Sequence, residues 1–117
     1  MVDKVKWGVI GSGGIARRRT IPEGIIPSEH AELVSVYDID SAANASVGKQ
    51  FNATAAKSLV ELIKSDIDAV YIASPVNKHF DHVIACAKSK KHVLCEKPLG
   101  LTVKEAEKMI SVCKEEG

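Results

Sequence analysis

Short apolar runs rich in β-branched residues alternate along this chain with longer stretches of helical periodicity, and that alternation is the strongest limit on how it can fold. Val5 to Ile10, Glu32 to Tyr37 and His92 to Cys95 read as strands, and Asp68 to Ala73 (D-A-V-Y-I-A) is apolar almost throughout. A run without polar alternation predicts a strand buried on both faces, which is the mark of a parallel sheet between helical layers. Ala53 to Ala55 is a short, weak candidate for an edge strand, because small residues carry little β preference. Strands separated by helices imply βαβ units with right-handed crossovers. The expected fold class is therefore α/β: a doubly wound parallel sheet of order 3-2-1-4-5 with helices on both faces.

The helices announce their starts. Ser58-Leu-Val-Glu61 and Thr102-Val-Lys-Glu105 fit the capping box, in which the first side chain takes an orphan N–H and the Glu reaches back to the cap. Asp40 and Ser41 can cap a helix over the alanine-rich stretch to about Gln50. Phe80, Val83, Ile84 and Ala87 share one helical face, and so do Val103, Ala106, Ile110 and Cys113. The first helix is the least regular, since Pro22 falls about two turns after its start and predicts a kink or an early end there.

Composition narrows the function. The 117 residues make one domain, with 45% hydrophobic and 26% charged residues and a net charge of +1. Such a chain is neither disordered nor a basic nucleic-acid binder. Its longest apolar stretch, Ala69 to Ala73, falls far short of the ~20 residues a membrane-spanning helix needs. The N-terminus runs directly into the first strand with no apolar leader, so a cytoplasmic chain is expected. Three cysteines, Cys86, Cys95 and Cys113, lack the spacing of a zinc site or a disulfide framework, and no metal is expected.

The chemistry-bearing signal is a glycine-rich turn after the first strand, Gly11-Ser-Gly13-Gly14-Ile15-Ala16. In a G-x-G-x-x-A turn the first Gly permits the tight bend, the second lets backbone approach a pyrophosphate, and the small third residue packs helix on strand. Phosphates then meet a helix N-terminus, where free N–H groups favour negative charge. Alone the pattern is weak, since such turns also arise for conformational reasons. Asp38, at the end of the second strand, strengthens it: a carboxylate there accepts hydrogen bonds from an adenosine ribose and repels a 2'-phosphate, which favours NAD over NADP. Its alternative role is to cap the next helix, a task assigned here to Asp40. Arg17-Arg18-Arg19 reads as a solvated helix face.

The second half carries Ser74-Pro75-Val-Asn77-Lys-His79 after the third long strand and Glu96-Lys97-Pro98 after the last. Together with the glycine turn, these residues resemble the N-terminal domain of the glucose-fructose oxidoreductase, inositol dehydrogenase and MocA-like (Gfo/Idh/MocA) family over essentially all 117 residues. The resemblance implies a Rossmann-type, NAD(P)-dependent oxidoreductase acting by hydride transfer on a sugar, polyol or related hydroxy compound. It implies that Lys97 is catalytic and that Glu96 and Pro98 flank it at the cofactor. It also implies that Pro75, Asn77 and His79, beside Ser74, line the nicotinamide side of the cofactor. Read without it, Lys97 is a general acid or base or a surface lysine, and His79 a general acid or base or a structural or cofactor-packing residue on the first turn of a helix. His30, His82 and His92 receive no role, and Cys95 reads as a packed thiol.

The same resemblance implies a second, α+β substrate domain that these residues do not contain, together with any homo-oligomer interface. One wall of a cleft holds a cofactor but does not place a substrate carbon for hydride transfer. The chain is thus expected to be the dinucleotide-binding part, 1–117, of a longer dehydrogenase, inactive alone. A stand-alone nucleotide-binding regulator is the alternative.

Overall fold

The computed structural model describes residues 4–95 and 103–116. Glu96, Lys97, Pro98 and Thr102 lie outside them, so the roles predicted there are sequence expectations only. Five strands, β1 (Val5–Ile10), β2 (Ala31–Tyr37), β3 (Thr54–Ala55), β4 (Ala69–Ile72) and β5 (His92–Cys95), form one sheet of order β3-β2-β1-β4-β5. Every pairing is parallel, so the predicted α/β class and strand order are both found. The weak edge strand is real but only two residues long.

All four residues of β4 are buried, as its unbroken apolar run predicted, and successive strand residues feed opposite cores. Ile10, Val70 and Ile72 pack with Leu62, Ile67, Val83, Cys86 and Met109 on one face. Val9 and Tyr71 pack with Ala16, Ile21, Leu33, Val36 and Val47 on the other.

The helices are π1 (Ser12–Ile25), α1 (Ser41–Phe51), α2 (Leu59–Lys64), α3 (Val76–Lys88) and α4 (Val103–Glu116). None among the described residues is long and apolar enough to cross a membrane. π1 corrects one half of the expected kink or early end, because the helix does not end at Pro22 but runs on to Ile25. An α-helix is broken by proline through the lost N–H and the ring's clash with the carbonyl four residues back. Here the winding is wider, with the Ile26 N–H reaching the Ile21 carbonyl five residues earlier at 2.9 Å. Ala16, Ile21 and Ile25, spaced five and four apart, are all buried against the sheet. Their burial continues past the proline and holds the last turn in place.

Asp40 caps α1 by accepting the Ala43 N–H at 3.1 Å. Ser58 caps α2 by accepting the Glu61 N–H, while the Glu61 carboxylate takes the N–H of Lys57, one residue before the cap. On α4 the core-facing stripe differs from the one read off the spacing: Met109 is 1% exposed whereas Ile110 is 51% exposed. Adjacent apolar residues lie about 100° apart on a helix, and the sequence alone did not say which of the two the core would take.

Gly48 shows where a helical glycine is required. A β-carbon there would lie 2.9 Å from the carbonyl oxygen of Ala53 and 3.1 Å from the β-carbon of Ala55. Gly→Ala in a helix ordinarily stabilises by roughly 0.5–1 kcal/mol. Gly48→Ala is expected to reverse that sign and destabilise by about 1–3 kcal/mol, because a backbone carbonyl must move. Chemical denaturation of the two proteins checks this, and a raised midpoint would refute it.

Candidate functional site

Of the predicted site residues, Gly11, Gly13, Asp38, Ser74, Pro75 and Asn77 meet at the C-terminal edge of the sheet, where the order reverses between β1 and β4, the place where open α/β sheets bind ligands. Gly11 adopts φ +83°, in the left-handed region. Its α-carbon presses against β4: a β-carbon at this position would sit 2.5 Å from the Ser74 nitrogen and 2.6 Å from the Ala73 carbonyl carbon. The first glycine of the turn is thus demanded both by its dihedral and by the neighbouring strand.

Gly13 meets the acidic partner. Its N–H donates to Asp38 Oδ2 at 2.8 Å, and the Asp40 N–H donates to Asp38 Oδ1 at 2.9 Å. A β-carbon on Gly13 would come within 3.1 Å of Asp38 Oδ2 and 3.2 Å of the Ala43 methyl. The second glycine therefore clears room for the Asp38 carboxylate as well as for any phosphate. Asp38 is partly exposed, and a carboxylate offers about four acceptor positions, so two backbone donors orient it and leave capacity for hydroxyl donors.

A cavity of about 440 Å³ opens over this edge, lined by Gly11, Tyr37, Asp38, Ile39, Ser74, Pro75 and Asn77 together with Ile10, Leu59, Lys78, Asp81 and His82. Ile39 is 86% exposed beside it, an apolar side chain standing next to Asp38 with little protein covering it. Pro75 occupies the cap position of α3, with Asn77 in its first turn. Gly14 and Ile15 lie in the first turn of π1. The geometry fits a dinucleotide: a glycine that only hydrogen can fill, an oriented carboxylate, and a groove between them.

Two histidines of α3 stand differently toward this edge. His79 is 2% exposed, and its Nε2–H donates to the Ser74 carbonyl at 2.7 Å. A side chain so placed braces the cavity wall. His82, which received no role, does line the cavity, with Nδ1 at 2.7 Å from Ser74 Oγ. Burial pushes its imidazole pKa below the ordinary histidine value, against a raising influence from Asp81.

Sequence reasoning also missed Ser12, the variable residue of the turn. Its fully buried hydroxyl donates to Asn44 Oδ1 at 2.9 Å, and the Asn44 amide donates to the Ala56 carbonyl at 3.0 Å. This chain of bonds ties the glycine turn to α1 and to the end of β3. Arg17 is bound as well, to Gln50 and Ser46 of α1. Cys86 lies far from this edge, fully buried, with burial pushing its thiol up to about 12. Among the described residues no three His, Cys, Asp or Glu side chains are grouped to hold a metal.

Known proteins share this fold. The chain is 39% identical over 101 residues to the glucose-6-phosphate 3-dehydrogenase of Bacillus subtilis, covering 86% of this chain and 28% of that protein. It is 36% identical over 112 residues to the myo-inositol 2-dehydrogenase of Thermotoga maritima, covering 94% and 33%. Among solved structures, a 3-ketoreductase from Actinomadura kijaniata in complex with NADP superposes with TM-score 0.91 at 27% identity, covering 97% of this chain and 36% of that one. The WlbA dehydrogenase of Bordetella pertussis in complex with NADH and UDP-GlcNAcA does so with TM-score 0.91 at 28% identity, covering 97% and 35%. The chain thus spans about a third of the length of these relatives. The family described as "Oxidoreductase family, NAD-binding Rossmann fold" matches residues 5–117, and with that match the chain belongs to the Gfo/Idh/MocA oxidoreductases.

Proposed function

We propose that this chain is the dinucleotide-binding domain of an oxidoreductase that moves hydride between NAD and a sugar, polyol or related hydroxy compound. The observation that carries the reading is Asp38, held by the Gly13 and Asp40 N–H groups on the wall of the same cavity as Gly11, Ser74, Pro75 and Asn77. An oriented carboxylate accepts from a ribose 2'-hydroxyl and repels a 2'-phosphate, so NAD is favoured over NADP. Gly11 and Gly13 shape the turn for close approach of the pyrophosphate, and Gly14 and Ile15 offer it backbone N–H groups in the first turn of π1. Relatives named for work on glucose 6-phosphate and myo-inositol support the substrate class.

When bound, the nicotinamide supplies the hydride acceptor or donor. The protein's part is proton transfer and placement. Lys97, two residues beyond the end of β5, takes the proton of the substrate hydroxyl as its carbon is oxidised, or returns it in the reverse direction. Substrate placement then falls to the part of the protein outside these 117 residues, since hydride transfer requires near-attack geometry.

Calorimetric titration of this chain with NADH and NADPH in parallel tests the reading. One-to-one binding that favours NADH is expected, and failure of a folded sample to bind either would refute it. Asp38→Ala is expected to weaken NADH binding about tenfold, or about 1.4 kcal/mol, and to narrow the preference over NADPH. Unchanged relative affinities would remove Asp38 from the ribose site.

A further inference from the structure

Ser74 is gripped from three sides. Its backbone nitrogen backs onto Gly11 so closely that a β-carbon there would approach to 2.5 Å. Its carbonyl accepts the His79 Nε2–H at 2.7 Å, and its hydroxyl lies 2.7 Å from His82 Nδ1. Both histidines belong to α3, five and eight residues after the serine they hold. They differ in access, for His79 is 2% exposed while His82 is half-buried on the cavity wall. A carbonyl only accepts, so the His79 bond has one polarity. The hydroxyl contact has two, and the proton on His82 decides between them.

We propose that His82 is a positioning residue for the cofactor cavity: its neutral imidazole accepts the Ser74 hydroxyl proton at Nδ1 and holds the β4–α3 turn in the form that takes the dinucleotide. The inference rests on the reading of the cavity as a dinucleotide site. Protonation turns Nδ1 from acceptor to donor. The Ser74 hydroxyl, in a residue 8% exposed, must then send its proton elsewhere, and a positive charge appears on the wall that the ligand covers. The loss of the hydroxyl's acceptor opposes binding, because a buried polar group without a partner costs free energy and the turn must shift to find it one.

The groups around His82 do not compensate. From α3 itself come Asp81, which favours the charged ring, and His79 and Lys78, which disfavour it; burial is the largest influence and also disfavours it. From β2 the cavity receives Tyr37 and Asp38, from β1 and α2 only the uncharged Ile10, Gly11 and Leu59. Among the described residues, no charged side chain of β5 or α4 lines it.

The test is NADH titration of this chain between about pH 7.5 and 5.5, in wild type, His82→Phe and His82→Asn, with nitrogen NMR shifts of the His82 ring read in parallel. Wild-type affinity is expected to fall toward the acid end as His82 gains its proton, by less than about tenfold because burial holds the ring's pKa below its ordinary value. His82→Phe keeps a ring without the acceptor and is expected to bind about tenfold more weakly with no such pH dependence. His82→Asn restores an acceptor near the Nδ1 position, recovers part of the loss and stays flat with pH. A His82→Asn profile that still falls like the wild type's, or a ring that carries its neutral-state proton on Nδ1, overturns the inference while leaving the cofactor reading intact. Absence of NADH binding by the wild type at every pH takes down the cofactor reading itself, and this inference with it.

Discussion

Gly11→Ala is expected to lower the stability of this domain by about 3–5 kcal/mol, the combined cost of a left-handed non-glycine residue and of overpacking. The magnitude follows from what the added methyl would meet. Its three nearest neighbours, the Ser74 nitrogen and the Ala73 carbonyl carbon and oxygen, lie within 2.5–2.7 Å, and all are backbone. A crowded side chain can rotate away, but here β1 and β4 must separate or the turn must reshape. The end of β1 is held on both sides of the contact, to β2 by the Gly11 N–H donating to the Tyr37 carbonyl and to the end of β4 by the Ala73 N–H donating to the Ile10 carbonyl, each at 2.8 Å. Gly24→Ala is the matched control, having no atom within 4 Å of the added carbon and no positive φ. It is expected to be neutral or to stabilise by up to about 1 kcal/mol. Guanidinium unfolding of the two variants separates local strain from any general effect of adding a methyl. Equal midpoints for Gly11→Ala and wild type would mean that the turn is looser than its geometry implies.

The same contact explains which parts of the fold were legible in the sequence. β4 could be read because its residues are buried on both faces, and only an unbroken apolar run satisfies two cores at once. The glycine turn could be read because a positive φ and a backbone contact leave no other residue, and Asp38 because its place at a strand end follows from the turn before it. Asp40 was legible as a cap because capping is local, confined to three residues.

What was illegible depends on partners far apart in the chain. Ser12 and Asn44 are 32 residues apart, and neither a serine in a turn nor an asparagine in a helix signals the other. His82 looked like one more helical polar residue; only the return of α3 over the end of β4 brings its ring to Ser74. His79 matched a motif, but nothing in that motif announced its bond to the Ser74 carbonyl. Pro22 misled because proline's cost was reckoned for an α-helix, while the burial of Ile21 and Ile25 sustains a wider winding. Local rules fail where tertiary burial supplies more free energy than the local preference costs.

For chemistry the largest expected effect belongs to Lys97. In the intact enzyme, Lys97→Ala is expected to lower kcat by about 10²–10⁴-fold, the range for loss of a positioned general acid or base. NADH affinity is expected to change by no more than a few fold, because the groups assigned to the dinucleotide are the glycine turn, Asp38 and the cavity around Ser74. The split between kcat and affinity is what distinguishes proton transfer from binding. Lys97→Arg sharpens the test. A guanidinium keeps the positive charge but stays protonated throughout the working range, so it can polarise a substrate oxygen yet cannot accept its proton. Arg is therefore expected to recover little of the lost turnover in the direction of alcohol oxidation. Full recovery by Arg would assign Lys97 an electrostatic task alone, and unchanged turnover in Lys97→Ala would remove it from the reaction. Pre-steady-state measurement with a deuterated substrate completes the argument: if proton removal by Lys97 is concerted with hydride departure, its loss slows the isotope-sensitive step itself, and the hydride isotope effect on kcat rises toward its intrinsic value as that step becomes rate-limiting.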